Sequence, residues 1–161
     1  MTILPLTSDS ARHYRRELAQ FYYDNMQTCS CLDHYTLDQA YEKIGDLIAH
    51  LTDKSCIAYG AFEADELIGY IWAYRHPFRE ETRMYINELS VRSDYRGRGI
   101  GTALMNMVEE WAKIMDLPAL YIHAEATSPD ALRLYESLGY AKERIQLRKE
   151  IHLSAVPEEQ P

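Results

Sequence analysis

The chain predicts an α/β fold built on a mixed sheet, and three observations carry that prediction. The spacing of apolar residues changes from helical to alternating and back along the chain. The segments run strand, two helices, three strands, helix, strand, helix, strands, an order that mixes helices with a sheet of both strand directions. The strand–helix–strand unit between residues 83 and 124 requires a parallel pair joined by a crossover. About six to seven strands are expected, flanked by about four helices. One domain is expected over residues 1–153, followed by a polar, Pro-containing tail over 154–161.

Each element has a local reason. Ile3 to Leu6 reads as a short first strand. Ser8 and Ser10 are candidate caps for a helix through about Met26. Thr36-Leu37-Asp38-Gln39 starts a second helix, whose Leu37, Tyr41, Ile44 and Ile48 fall at helical spacing. Residues 55–63 and 67–75 are rich in Ile, Tyr, Trp and Ala, and Ala64-Asp65-Glu66 between them reads as a hairpin turn. Arg83 to Arg92 alternates and reads as the next strand. Leu104, Met107, Val108, Trp111 and Met115 make one apolar helix face, which Asp116-Leu117-Pro118 ends. Leu120 to Ala124 is a short strand. Ser128-Pro129-Asp130 opens a further helix with Ser at the cap, Pro at the first turn and an acid near the positive dipole end. Gly139 is placed to close that helix. Tyr140 to Leu153 reads as two closing strands.

Composition narrows the function classes. The chain has 161 residues, 47% of them hydrophobic and 26% charged, which fits one globular domain with a real core. No apolar run approaches the ~20 residues of a membrane span. The N-terminus lacks a basic stretch followed by an apolar core, so the cytoplasm is the expected location. The three cysteines, Cys29, Cys31 and Cys56, read as reduced thiols. Cys29-Ser30-Cys31 has no second ligand pair at zinc spacing, so no metal is expected. The net charge of −8 opposes nucleic-acid binding, which needs a basic surface. It mildly favours a cationic partner, although simple solubility is the plainer explanation.

The most informative stretch is Arg96-Gly97-Arg98-Gly99-Ile100-Gly101-Thr102. It follows the strand-like Ile86-Asn87-Glu88-Leu89-Ser90-Val91 and opens the amphipathic helix. Glycines let the backbone close on a phosphate. The unpaired N–H groups and dipole of the first helical turn face such an anion. Arg96 and Arg98 bring charge and forked donors. A pyrophosphate site is therefore expected. A Walker-type loop is disfavoured because no Gly-Lys-Ser/Thr follows, and a Rossmann site because the glycine spacing differs and the turn lies mid-chain.

These residues resemble the GNAT superfamily of acetyl-CoA-dependent N-acetyltransferases. Arg96-Gly97-Arg98-Gly99-Ile100-Gly101 matches the hallmark Gln/Arg-x-x-Gly-x-Gly/Ala loop. Leu89-Ser90-Val91 and Asp94-Tyr95-Arg96-Gly97 look like its lead-in. Ala131-Leu132-Arg133-Leu134-Tyr135-Glu136-Ser137-Leu138-Gly139-Tyr140 is similar to the second hallmark, Leu-Tyr-x-x-x-Gly-Phe/Tyr. The close match covers residues 86 to 140. The two blocks together, in order and at the usual distance, are far more specific than a glycine turn alone.

The resemblance implies acetyl-CoA as co-substrate and a primary amine, of a small molecule, as acceptor. It implies that the strand before the loop splays from its parallel neighbour, so that the backbone at Leu89, Ser90 and Val91 meets the pantetheine arm. The loop from Gly97 to Thr102, Ile100 included, would cradle the pyrophosphate. Tyr135 matches the tyrosine that serves as general acid. A backbone N–H near Val91 would steady the oxyanion. Ser128 stands where the family usually has Asn, three residues before Ala131, and reaches less far toward the cofactor. The family also implies a homodimer through the C-terminal strands, and an exposed edge strand invites such pairing.

The base follows from chemistry rather than motif. An alkyl amine of pKa ~10 is neutral in about one molecule per thousand at pH 7. A carboxylate can take its proton directly or through water. Glu88 adjoins Leu89 on the strand that would hold the thioester and points opposite to it. A surface acid on a half-exposed strand is the competing reading. For Tyr135 the competing reading is an aromatic packed on the apolar helix face, and the two overlap.

Tyr22, Tyr23, Tyr35, Tyr70, Trp72, Tyr74 and Tyr85 come from the elements expected to build the acceptor pocket, where aromatics and acids can hold an ammonium. His76 and His123 read as isolated structural histidines. Two other functions stay open at this stage. One is acetylation of a protein lysine or N-terminus, and the other is a non-catalytic acyl-CoA-binding module.

Overall fold

The structure, a computed structural model, describes residues 1–27 and 34–149. The Cys29-Ser30-Cys31 triplet and the tail from residue 154 lie outside the described residues. Among the described residues, five strands form one sheet in the order β1-β2-β3-β4-β5. They are β1 (Thr2–Pro5), β2 (Cys56–Glu63), β3 (Glu66–Phe78), β4 (Glu81–Val91) and β5 (Leu120–Ile122). The first four pair antiparallel, and β4 with β5 is parallel. The mixed sheet and the parallel pair across residues 83–124 are as the sequence predicts.

Helices cover both faces. The expected first helix is two: α1 (Ser8–His13) and α2 (Arg15–Gln27). Thr7, rather than Ser8, caps α1, in a reciprocal box with Ser10. Thr36 caps α3 (Leu37–Thr52) by the same device with Gln39. α4 (Ile100–Ile114) and α5 (Pro129–Ser137) follow. Helix α5 ends in a Schellman motif: Gly139 has φ +85°, its N–H donates to Glu136 O at 3.1 Å, and Tyr140 N–H donates to Tyr135 O at 2.9 Å.

One core cluster fills the face under α1–α3, with Leu18, Phe21, Ile44, Leu47, Tyr70 and Trp72. A second fills the face under α4, with Ile68, Ile71, Met84, Ile86, Leu104 and Val108. Helices on both sides explain why Leu67 to Ala73 of β3 is buried without a break.

The two closing strands expected over Tyr140 to Leu153 do not form within residues 141–149, which carry no strand. Ile145 and Leu147 are 82% and 90% exposed. The segment alternates as a strand should, but alternation does not supply a partner. The edge on offer, β5, is three residues long, too short for a stable ladder. The rest of that stretch lies outside the described residues.

Candidate active site

A β-bulge in β4 organises the site. Trp72 pairs with Glu88 and the next residue of β3, Ala73, pairs with Ile86, so Asn87 is the extra residue. A bulge reverses the strand's alternation. Before it, Met84 and Ile86 face the α4 cluster; after it, Leu89 and Val91 do. Glu88 and Ser90 are thereby turned to the opposite face, where Ser90 Oγ donates to Phe21 O of α2 at 3.4 Å. Without the bulge, Glu88 would share the apolar face of Met84 and Ile86.

The bulge also re-aims the backbone. Met84 N–H donates outward to Ala119 O at 3.0 Å, whereas Arg92 N–H donates inward to Ile68 O at 2.9 Å. Counting along the antiparallel ladder from Arg92, the N–H and C=O groups of Leu89 and Val91 point away from β3, toward the β5 side. β5 pairs with β4 only at Met84, Tyr85 and Ile86. The two strands part beyond that point, and the Leu89–Val91 edge faces the gap.

The glycine loop stands at the end of this edge. Gly97 and Gly99 have φ of +74° and +77°, a region that non-glycine residues enter at a cost. A Cβ added at either would meet nothing within 4 Å. Gly99 caps α4, and no side chain bonds to that helix start. The first-turn N–H groups of Ile100, Gly101 and Thr102 therefore remain for an anion. A Cβ at Gly101 would lie 3.1 Å from Leu134 Cδ2, so this glycine lets α4 approach α5. The loop fits a pyrophosphate. Its arginines are presently tied to the loop: Arg96 Nε donates to Val91 O at 3.1 Å, and Arg98 Nη2 donates to Asp94 O at 3.1 Å. Arg98 also lies over the Tyr95 ring at 4.6 Å, as Arg92 does at 4.4 Å. Ser128 sits at the N-cap position of α5 without making a side-chain cap bond, so capping does not occupy its hydroxyl.

Glu88 lies on the other face. It is 5% exposed, which rules out the surface-acid reading. Asn25 Nδ2 of α2 donates to Glu88 Oε1 at 2.7 Å. Burial pushes the carboxyl up to about 8, against smaller lowering effects from Asn25 and Lys43. Nothing in the sequence marks Asn25, which stands 63 positions from its partner. Tyr135 on α5 packs with the α4 cluster. Burial first, and the charge of Glu88 second, push its phenol up to about 12. The structure thus brings Glu88 and Tyr135 within electrostatic reach across the gap.

The aromatic residues divide. Tyr70 and Trp72 are core, at 0% and 1% exposure. Tyr22 and Tyr35 pack at 5.9 Å. Tyr74, Tyr85 and Tyr121 form a half-buried row at ring separations of 5.3 and 4.8 Å. His76 and His123 are not isolated: His76 packs 6.0 Å from Tyr121, and Tyr85 Oη lies 3.3 Å from His123 Nδ1. The β4–β5 register sets Tyr85 opposite Tyr121, a pairing the sequence hides because the partners come from separate segments. Cys56 is half-buried, and burial pushes its thiol up to about 12, so it is not a nucleophile. Among the described residues, no three His, Cys, Asp or Glu side chains converge as metal ligands, and no helix is long and apolar enough to cross a membrane.

Known proteins share this arrangement. Residues 15–140 match the Acetyltransferase (GNAT) family. YdgE of Bacillus subtilis (strain 168), an uncharacterised N-acetyltransferase, is 27% identical over 116 residues, covering 71% of this chain and 72% of that protein. A putative acetyl transferase from Pyrococcus furiosus superposes with a TM-score of 0.72 at 23% identity, over 93% of this chain and 99% of the other. The aminoglycoside acetyltransferase meta-AAC0020 from an uncultured soil metagenomic sample, in complex with sisomicin, superposes with a TM-score of 0.69 at 15% identity, over 95% and 96%. The splayed strand, the glycine loop and the family match agree: this chain belongs to the GNAT family of acetyltransferases.

Proposed function

We propose that the protein moves the acetyl group of acetyl-CoA to the primary amine of a small molecule by direct attack in a ternary complex. The observation that carries this reading is the buried Glu88, turned by the bulge onto the strand that borders the gap. The backbone groups of Leu89 and Val91 would hold the pantetheine arm, and the loop from Arg96 to Thr102 the pyrophosphate; Ser90, expected to share the first task, instead pairs with Tyr70 of β3 and faces away from the gap. Ser128 would add a contact from α5. Arg96 and Arg98 would serve the phosphates with the N–H donors they do not spend on the loop.

Each chain group then has one task. Glu88 accepts the amine proton. At about 8 it is ionised in about a tenth of molecules at pH 7, close to the optimum for a base working near neutrality. The Val91 N–H donates to the oxygen that gains charge. Tyr135 stays protonated at working pH and hydrogen-bonds the departing sulfur. Tyr22, Tyr35, Tyr74 and Tyr85 offer ring faces to a cation. An aminoglycoside acetyltransferase is among the structural neighbours, which is compatible with a small amine. A homodimer is part of the same reading, since β5 has a neighbour on one side only among the described residues.

The test is turnover with acetyl-CoA against a panel of polyamines, aminoglycosides, amino acids and peptides, at pH 6 to 10, for wild type and Glu88→Gln. Turnover on small amines, with the acidic limb lost in the variant, is the expected result. Preference for peptides would move the acceptor to a protein. Acetyl-CoA binding with no turnover on any amine would leave only an acyl-CoA-binding module.

A further inference from the structure

The Tyr70 hydroxyl stands out. Its ring stacks on Phe21 at 6.1 Å within the α1–α3 core. Among the described residues, this hydroxyl is the one buried side-chain polar atom with no hydrogen-bond partner. Burying an unpaired hydroxyl costs stability, and Phe would fill the same space without that cost.

Its surroundings give it a use. Tyr70 pairs with Ser90 and Trp72 with Glu88, so Tyr70 and Glu88 are diagonal neighbours on one sheet face. Long side chains reach each other at that separation. A carboxylate has about four lone-pair sites and, when buried, is steadied by two or three donors. Asn25 supplies one. The other groups facing Glu88 are engaged or act through charge alone. Tyr22 of α2 and Tyr35, just before α3, pack ring against ring at 5.9 Å. Lys43 of α3 lies 3.9 Å from Asp46 and 5.7 Å from the Trp72 ring centre. Tyr85 of β4 lies beside His123. Tyr135 of α5 is a neutral phenol that feels the charge of Glu88.

We propose that Tyr70 is a positioning residue for the ionised form of Glu88: its hydroxyl donates to the carboxylate once the proton has left, while Asn25 holds Oε1. The inference rests on Glu88 being the base. During the reaction the proton from the amine nitrogen passes to a Glu88 oxygen. Tyr70 keeps its own proton throughout, because burial holds its phenol far above the usual range.

The experiment compares wild type, Tyr70→Phe, Glu88→Gln and the double variant. It reads kcat/KM for the amine against pH, acetyl-CoA affinity, and unfolding stability against pH. Tyr70→Phe is expected to move the acidic limb upward by about one pH unit, a tenfold loss below it, with acetyl-CoA affinity unchanged. Its stability is expected to equal or exceed wild type at pH 6 and to fall below wild type above pH 9, with no such crossing in the Glu88→Gln background. A limb that superposes on wild type, or a stability difference independent of pH, would make Tyr70 core filling and overturn the inference. Glu88→Gln separates the two failures: an acidic limb that survives it removes the base and this inference together, whereas loss of the limb there with none of its movement in Tyr70→Phe removes this inference alone. If Tyr70→Phe does not fold, a fluorinated tyrosine at position 70, a stronger donor, must move the limb downward; no movement overturns the proposal.

Discussion

The two faces of β4 beyond Asn87 solve different problems with the same backbone. On the α4 side, Leu89 and Val91 bury ordinary aliphatic side chains and turn their N–H and C=O groups to the gap. The recognition proposed there is made of backbone and glycine. On the α2 side, Glu88 is a buried carboxyl held by an amide from another helix. The chemistry proposed there is made of side chains placed by tertiary packing. Backbone recognition tolerates many side chains, provided the glycines stay. Side-chain chemistry depends on the bulge, on Asn25 and on the surrounding phenols.

The largest expected effect breaks the side-chain half. Glu88→Gln should lower kcat/KM for the amine by about 10² to 10⁴ at pH 8, the range for a general base, with little change in acetyl-CoA affinity. Tyr135→Phe should lower kcat by about ten- to a hundredfold, the worth of a hydrogen bond to a developing charge, with folding intact by circular dichroism. An unchanged kcat would leave Tyr135 as packing.

The backbone half should break in the opposite pattern. Gly99→Ala must hold φ near +77°, so a stability loss of about 1–2 kcal/mol is expected in chemical denaturation. Acetyl-CoA affinity should fall by more than that, about thirtyfold or beyond, because the loop amides lose their alignment. Equal affinity in a folded variant would remove the cradle. Ser128→Ala should raise the KM for acetyl-CoA only a few-fold, as one neutral hydrogen bond allows.

Glu88 also sharpens the comparison through stability. Its pKa rises from 4.5 to about 8 on folding, so the folded state holds a proton that the unfolded state releases between those values. The stability associated with the neutral carboxyl is present below pH 4.5 and is lost as pH climbs through about 8, with a slope of up to ~1.4 kcal/mol per pH unit. Urea denaturation from pH 5 to 9 should show this decline in wild type, and Glu88→Gln should flatten it. No counterpart is expected for the loop variants.

Legibility in the sequence divides along the same line. The loop announced itself because its function is local: three glycines and a helix start lie within six residues. The Thr36 cap and the Gly139 stop were legible for the same reason. The bulge at Asn87 was not, since Ile86-Asn87-Glu88 carries no glycine or proline to mark it. Glu88 could be named from its place beside Leu89, but its burial and its Asn25 partner come from the packing of α2 onto β4. The row from Tyr74 through Tyr85 to Tyr121 depends on strand order, which no single segment contains. Within residues 141–149 the expected closing strands do not form, because alternation met a β5 edge of three residues.

The most direct measurement is a calorimetric titration with acetyl-CoA, with CoA and ATP as controls. Saturable binding of acetyl-CoA and CoA, with little or none of ATP and with Gly99→Ala weakened, is the result this account predicts. No binding of either CoA species by folded protein would contradict it, and the glycine loop would then be a structural turn.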